Sequence, residues 1–506
     1  MKQFFTSNKT NPWFWVFLIL AVGTFFAMPI MSKDAGQSGD EYSHHEQSKY
    51  VYDYYASLGK DTLAITPRPK DYNQPYYGQF ADNLSYFVAK TFSIDDEYLV
   101  RHCVNSLFGW LAILFSALIA YRIAGWRAAV ITFILLFLSP RFLGHSFNNL
   151  KDIPFASSIV IALYYILRVI QQFPKIKIST ALLLACAIGI SIAVRVGGLI
   201  LFPYFAFFAF LYFILRNYKK PGLLSKTSLS EFVKLLGWGI AISFVGYAIG
   251  VLLWPFAIQK PIDNVLFAYN NMSAFAIGIR QLFEGSLQWS DALPWYYTPK
   301  FILMTIPVAV IVGLILFFTL IWKDKQNYFY YFMIFFVFFF PVFWIVYTKA
   351  NVYGGWRHAM FAYPPMVIAA GLGFNLAIER ISQKKLFFII PSLLLFTSCA
   401  TSYMHVEIIQ KKTVLDYRQQ VHLIPLSSPI PDFSTLLGII TIDGYKLKDE
   451  CNENVLLEEA KLKAREIGGN AIKIVKYLPN YTLGNCAQMT LYILQLSKNK
   501  EPDSNP

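Results

Sequence analysis

Long apolar runs separated by short basic loops organise the chain up to about residue 404. They lie near 12–31, 103–121, 128–143, 154–171, 179–195, 198–215, 233–256, 299–322, 328–347, 359–379 and 385–404. Most hold about 18 to 22 residues, enough for a helix to cross a hydrocarbon core, and the third and fifth are shorter. The pattern predicts an all-α polytopic membrane protein with about eleven transmembrane helices. The first run is followed by Met28-Pro29-Ile30-Met31 and has no small-x-small cleavage site, so it reads as an uncleaved anchor.

The loops set an orientation. Lys2 and Lys9 precede the first run, Arg122 and Arg127 lie between the second and third, and Arg168, Lys175 and Lys177 follow the fourth. Arg216, Lys219, Lys220 and Lys226 follow the sixth, Lys323 and Lys325 the eighth, and Arg380, Lys384 and Lys385 the tenth. All fall on one side if the N-terminus is cytoplasmic, because Lys and Arg accumulate in cytoplasmic loops. The C-terminus is then extracytoplasmic.

Long segments gather on the outer side. The first outer loop, 32–101, contains two amphipathic stretches, Glu41 to Leu58 and Tyr76 to Phe92, the first resembling a helix on the membrane surface. Another outer loop, about 257–297, holds Trp289, Trp295 and Tyr296. After Met404 the pattern changes. Leu437–Ile442, Ala471–Tyr477 and Met489–Leu496 read as strands, Asn454–Ile467 as an amphipathic helix, and Gly468-Gly469 as its stop. The expected organisation is a transmembrane domain over 1–404 and a small α+β extracytoplasmic domain with a polar tail over 405–506.

Composition narrows the function classes. Only 15% of the 506 residues are charged and 56% are hydrophobic, too few charges to cover a soluble surface of this size. The excess of 44 Lys+Arg over 30 Asp+Glu sits between apolar runs rather than on one soluble domain, which argues for membrane loops and against nucleic acid. No CxxC or Cys/His spacing suggests zinc.

Four outer positions carry candidate chemistry. Asp40-Glu41 places two carboxylates close to the first anchor, where one can act as general base toward an acceptor hydroxyl or amide. The loop from Ser139 to Pro154 packs Arg141, His145, Asn149, Lys151 and Asp152 between two apolar helices. The helix dipole explains an acid at Asp152 but not its basic and amide neighbours. Tyr353-Gly354-Gly355-Trp356-Arg357-His358 combines a Gly pair, which lets backbone approach a ligand, with an Arg able to bind phosphate in a fork. Arg195, before Gly197-Gly198, must snorkel or pair with an anion. His44-His45-Glu46, with Asp40 on the same helix face as His44, suggests a metal less well than a polar interfacial helix.

Together and in this order, these pieces resemble the lipid-linked glycosyltransferases of the GT-C fold, closest to glycosyltransferase family 39, the protein O-mannosyltransferase and aminoarabinose-transferase branch. Asp40-Glu41 matches that family's acidic pair after the first helix, and the two amphipathic stretches match its juxtamembrane helices. Lys151-Asp152-Ile153-Pro154 matches its second-loop acid, Pro294-Trp295-Tyr296-Tyr297 its aromatic step, and Tyr353 through Pro365 its Arg-containing segment, the loosest match. The resemblance covers roughly 12–404. It implies a polyprenyl-phosphate sugar as donor and an extracytoplasmic protein, lipid or glycan as acceptor. Asp40, Glu41 and Asp152 would be catalytic, with Asp40 the general base. Arg357, Lys151, Arg141 and Arg195 would bind the donor phosphate. His145, Asn149, Tyr353, Trp356, His358 and Trp295 would contact substrate. Some GT-C enzymes use a divalent metal and others do not; Asp40 and Asp152 would be its ligands here.

Ala464 to Ile472 is similar to helix–strand junctions in small envelope domains of the RcsF and YbjQ kind, which implies a docking module for an envelope protein. Cys451 and Cys486 both lie in the tail and are expected to form a disulfide, closing a loop of about 35 residues worth roughly 3 to 4 kcal/mol in the chain-entropy model. The rival classes are a GT-C oligosaccharide ligase or polymerase, a lipid-linked sugar flippase, and a noncatalytic scaffold. Transporters place charge at mid-membrane on repeated, broken helices. Here the runs are nearly charge-free and show no repeat.

Overall fold

The computed structural model describes residues 10–39, 41–68, 73–218, 225–273, 278–284, 286–380, 404–415, 419–442, 453–478 and 488–496. Asp40, Cys451, Cys486 and the expected run 385–404, apart from its last residue, lie outside the described residues. The chain divides into two compact units, one of Met1–Ala35, Asp40–Gln281 and Trp289–Thr397, the other of Gly36–Gly39, Leu282–Gln288 and Ser398–Pro506.

The first unit is helical. Helix α1 (Pro12–Met31) starts where the Asn11 side chain accepts from the Trp13 amide, with Pro12 at a position whose missing N–H costs nothing. The first outer segment folds into α2 (Glu41–Ala56) and α3 (Phe80–Thr91), the two expected juxtamembrane helices. Helix α2 is not oriented as an ordinary surface helix: its polar residues His44, His45, Gln47 and Ser48 are buried while Tyr42 and Tyr55 are exposed. The polar face has protein partners, such as the Ala64 carbonyl that accepts from Gln47.

Helix α4 (Glu97–Phe137) contains the second apolar run and most of the third in 41 residues, folded back at Ala124-Gly125, where Gly125 takes φ +82°. Beyond it come α5 (Pro140–Asn148), α6 (Asp152–Gln172), α7 (Ile178–Val194), α8 (Leu201–Asn217) and α9 (Lys226–Leu252). After α9, α10 (Asp263–Ser273) belongs to the long outer loop.

The run expected as one span at 299–322 is two helices, α11 (Tyr297–Thr305) and α12 (Val308–Leu320), bent by 110°. Pro307 causes the break: it cannot donate into the helix, and Ile306 before it is extended, as residues preceding proline prefer. Helices α13 (Tyr328–Tyr347) and α14 (Tyr363–Ile378) complete the unit. Among the described residues, 7 helices are long and apolar enough to cross a membrane, or 8 with the bent pair as one.

Helix direction sorts the polar residues to two ends of this unit. Arg122 at the fold-back of α4 donates to Gln171 at the end of α6, and Arg127 bonds Asn375 and Glu379 at the end of α14. The opposite ends of those helices carry Arg101, Asp152 and Tyr363, with Tyr363 bonded to Ser139 at 2.6 Å. Between the ends the core is apolar, built on residues such as Ile113, Phe133, Ile159, Val310 and Ile368.

In the second unit, strands β1 (Met404–Ile408), β2 (His422–Ile424), β3 (Ser434–Ile442), β4 (Ala471–Leu478) and β5 (Gln488–Leu496) form a sheet in the order β1-β3-β5-β4-β2. Among the described residues of this sheet, only the β2–β4 pairing is parallel. Helix α15 (Glu453–Glu466) contributes Leu456, Ala460 and Ala464 to a core shared with Leu437, Ile440, Leu491 and Ile493. It stops at Gly468, whose φ of +87° is the left-handed cap glycine supplies.

Candidate active site at one end of the helical unit

Two polar clusters occupy the end that carries Arg101 and Asp152. The first is sealed. Arg101 donates to Asp82 at 2.6 Å and lies 3.5 Å from Glu41, whose carboxylate is 3.0 Å from His102 Nε2. Arg101 is 1% exposed, and Glu41, Asp82 and His102 are buried beside it. Close by, His45 meets Glu97 at 2.8 Å. Glu41 thus anchors the start of α2, and Asp82 ties α3, to the first arm of α4. Asp82, Arg101 and His102 were not singled out from sequence, where they read as charges in amphipathic or interfacial positions.

The second cluster borders a cleft of about 220 Å³, lined by Tyr77, Lys151, Arg195, Val196, Gly197, Tyr269, Met272, Asn351, Tyr353, Arg357 and His358. Three of the four expected phosphate-binding cations are therefore brought together from segments far apart in sequence. Lys151 sits at the start of α6, its ammonium 3.6 Å from the centre of the Tyr77 ring. Arg195 caps α7 and pairs with Asp152 at 2.7 Å, resolving its apolar surroundings by pairing rather than snorkelling. Arg357 begins a short turn of helix and lies over Tyr353, which packs edge-on against His358.

Behind the cleft, Asn149 holds Asp152 from both sides: its amide donates to Asp152 Oδ2 at 2.9 Å and its carbonyl accepts from the Asp152 backbone at 3.0 Å. The same amide lies 3.0 Å from His145 Nδ1. Burial pushes the His145 imidazole down to about 4, the charge of Asp152 opposing and those of Arg141 and Arg357 adding to the effect. His145 is therefore neutral at physiological pH and bonds without adding charge.

The other expected residues have different places. Arg141 does not line the cleft; it donates to the Gly354 carbonyl at 2.9 Å and lies over the Trp356 ring. Trp356 is buried and donates to Thr305, fastening the segment to α11. Trp295 is 69% exposed and pairs with Tyr296, outside the cleft lining. Tyr77, Tyr269, Met272 and Asn351 join the cleft with no sequence signal beyond their location in outer loops. Among the described residues no group of three or more His, Cys, Asp or Glu is arranged to hold a metal ion, and both Asp152 oxygens already face Arg195 or Asn149.

The Gly pair has a steric reason. Gly354 and Gly355 take φ of +67° and +70°, and a Cβ on Gly355 would stand 2.6 Å from Arg141 Nη2. Gly355→Ala is expected to destabilise the protein by about 1 to 3 kcal/mol, a typical cost for a residue held in left-handed strain. Thermal unfolding of the purified variant checks it.

Neither a family model nor a curated protein matches the sequence. Solved structures do. The archaeal oligosaccharyltransferase AglB from Archaeoglobus fulgidus, in complex with an inhibitory peptide and a dolichol-phosphate, aligns with a TM-score of 0.52 at 15% identity, over 77% of this chain and 54% of that one. The fold is of the GT-C type. ArnT from Cupriavidus metallidurans bound to undecaprenyl phosphate aligns with a TM-score of 0.49 at 16% identity, over 77% of this chain and 64% of that one. The chain thus spans between half and two thirds of the length of these two proteins.

Proposed function

We propose that this protein is a membrane glycosyltransferase that moves a hexosyl or pentosyl group from a polyprenyl-phosphate donor to a protein, lipid or glycan acceptor. In this reading the reaction runs on the extracytoplasmic face, with the N-terminus cytoplasmic and the second unit extracytoplasmic. The carrying observation is the convergence of Lys151, Arg195 and Arg357 on one cleft, at the end of the helical unit where Glu41 and Asp152 also lie. The fold supports it, since AglB was solved with a dolichol-phosphate.

The chemistry follows from the residues. The acceptor oxygen or nitrogen attacks the anomeric carbon, the bond from that carbon to the phosphate oxygen breaks, and the acceptor proton passes to Asp40. Negative charge gathers on the departing lipid phosphate, where fixed cations stabilise it more than they stabilise the ground state. Arg357 offers a planar fork, Lys151 a point charge, and Arg195 a charge already balanced by Asp152. Direct displacement inverts the anomeric centre. Glu41, engaged with Arg101 and His102, serves Asp40 by holding the helix that follows it. Asp152 positions Arg195.

Arg357→Ala is expected to weaken donor binding by roughly tenfold or more, the value of a hydrogen bond to a charged group, and to leave acceptor affinity unchanged. Titration of the detergent-solubilised protein with a polyprenyl monophosphate measures it. Unchanged donor affinity with a loss in acceptor affinity would move Arg357 to the acceptor side.

A further inference from the structure

Lys151 needs an orienting partner. A lysine ammonium on a flexible four-carbon stem does not hold one direction unaided, yet this one points into the cleft from the start of α6. Two groups from the first outer segment meet it. Tyr77 lies beneath the ammonium at 3.6 Å, and His44, from the first turns of α2, places Nε2 3.1 Å from Lys151 Nζ. His44 is 5% exposed, and its ring meets Tyr77 edge-on at 6.0 Å.

An ammonium only donates, so His44 accepts through the Nε2 lone pair and carries its proton on Nδ1. A protonated imidazole has no lone pair to offer and would repel Lys151. From this contact we infer that His44 is a positioning residue, which as a neutral acceptor holds the Lys151 ammonium over Tyr77 and aimed at the donor phosphate. The role links α2, the helix that begins directly after Asp40, to the phosphate end of the cleft. It rests on the proposed reading of the cleft as a donor-phosphate site.

The test exploits side-chain geometry. A Gln side chain can present its carbonyl oxygen near the place of Nε2, whereas Leu keeps bulk without an acceptor. In the full-length protein, polyprenyl monophosphate affinity is expected to fall roughly tenfold in His44→Leu, since a charge-oriented hydrogen bond is lost, and to stay within about threefold of the parent in His44→Gln. With turnover, the loss should appear in KM for the donor and also in kcat, since Lys151 meets the departing phosphate, and His44→Gln should restore both. Equal losses in the two variants would reduce His44 to packing and overturn the inference, as would normal affinity in His44→Leu. A Lys151→Ala arm keeps the two readings apart: if Lys151→Ala leaves lipid-phosphate affinity intact, the reading of the cleft itself fails. A loss in Lys151→Ala with none in His44→Leu removes only His44.

Discussion

Asp40→Asn is expected to lower sugar transfer by at least about 100-fold, the low end for loss of a general base, while the protein still folds and inserts. Asparagine keeps the size of the side chain and its ability to hydrogen-bond but cannot take the acceptor proton. Asp40 is the residue directly before Glu41, and Glu41 is locked by Arg101 and His102, so a substitution at 40 leaves that cluster intact. The variant also separates function classes, because a flippase or scaffold has no proton to abstract. Donor consumption and product formation, followed by mass spectrometry with purified protein, decide the matter. Near-normal transfer would remove Asp40 from the role of base.

Arg101→Leu should be the most damaging single change to stability. The guanidinium is 1% exposed and is the cation between two buried carboxylates, Asp82 at 2.6 Å and Glu41 at 3.5 Å. Removing one partner of a buried ion pair typically costs about 3 to 5 kcal/mol, because the remaining charge has lost both water and its counterion. Here two carboxylates lose it. The damage also spreads, since the cluster ties α2 and α3 to α4. A triple variant that replaces Glu41, Asp82 and Arg101 by apolar residues of similar volume should recover part of the lost stability. If Arg101→Leu unfolds at the parental temperature, the cluster does not hold the juxtamembrane helices.

The same contacts show why the structural role of Glu41 is not legible in sequence. Two adjacent acids after an anchor look equivalent on the page. Only the packing of α2 on α4 turns Glu41 inward to His102. The surroundings that make Glu41 a sealed structural acid come from residues 41 and 61 positions away, Asp82 and His102.

What the sequence determined by itself follows from solvent. Lipid demands long apolar helices with every backbone group satisfied within them, so the runs, the fold-back at Gly125, and the one-sided distribution of Arg122 and Arg127 were readable as pattern. In the second unit, alternation and the Gly468 stop located three strands and α15, while the short β2 and the edge strand β1 carried too few residues to announce themselves. The bend between α11 and α12 was masked because apolar residues continue across Pro307, and composition does not report direction.

The tertiary structure alone decided which charges meet. Arg195 could have snorkelled but pairs with Asp152, and Arg141 braces the Gly354 turn instead of joining Lys151, Arg195 and Arg357. Sequence spacing measures distance along one chain, whereas a cleft is made where the ends of separate helices converge. That convergence is set by the packing of their apolar sides.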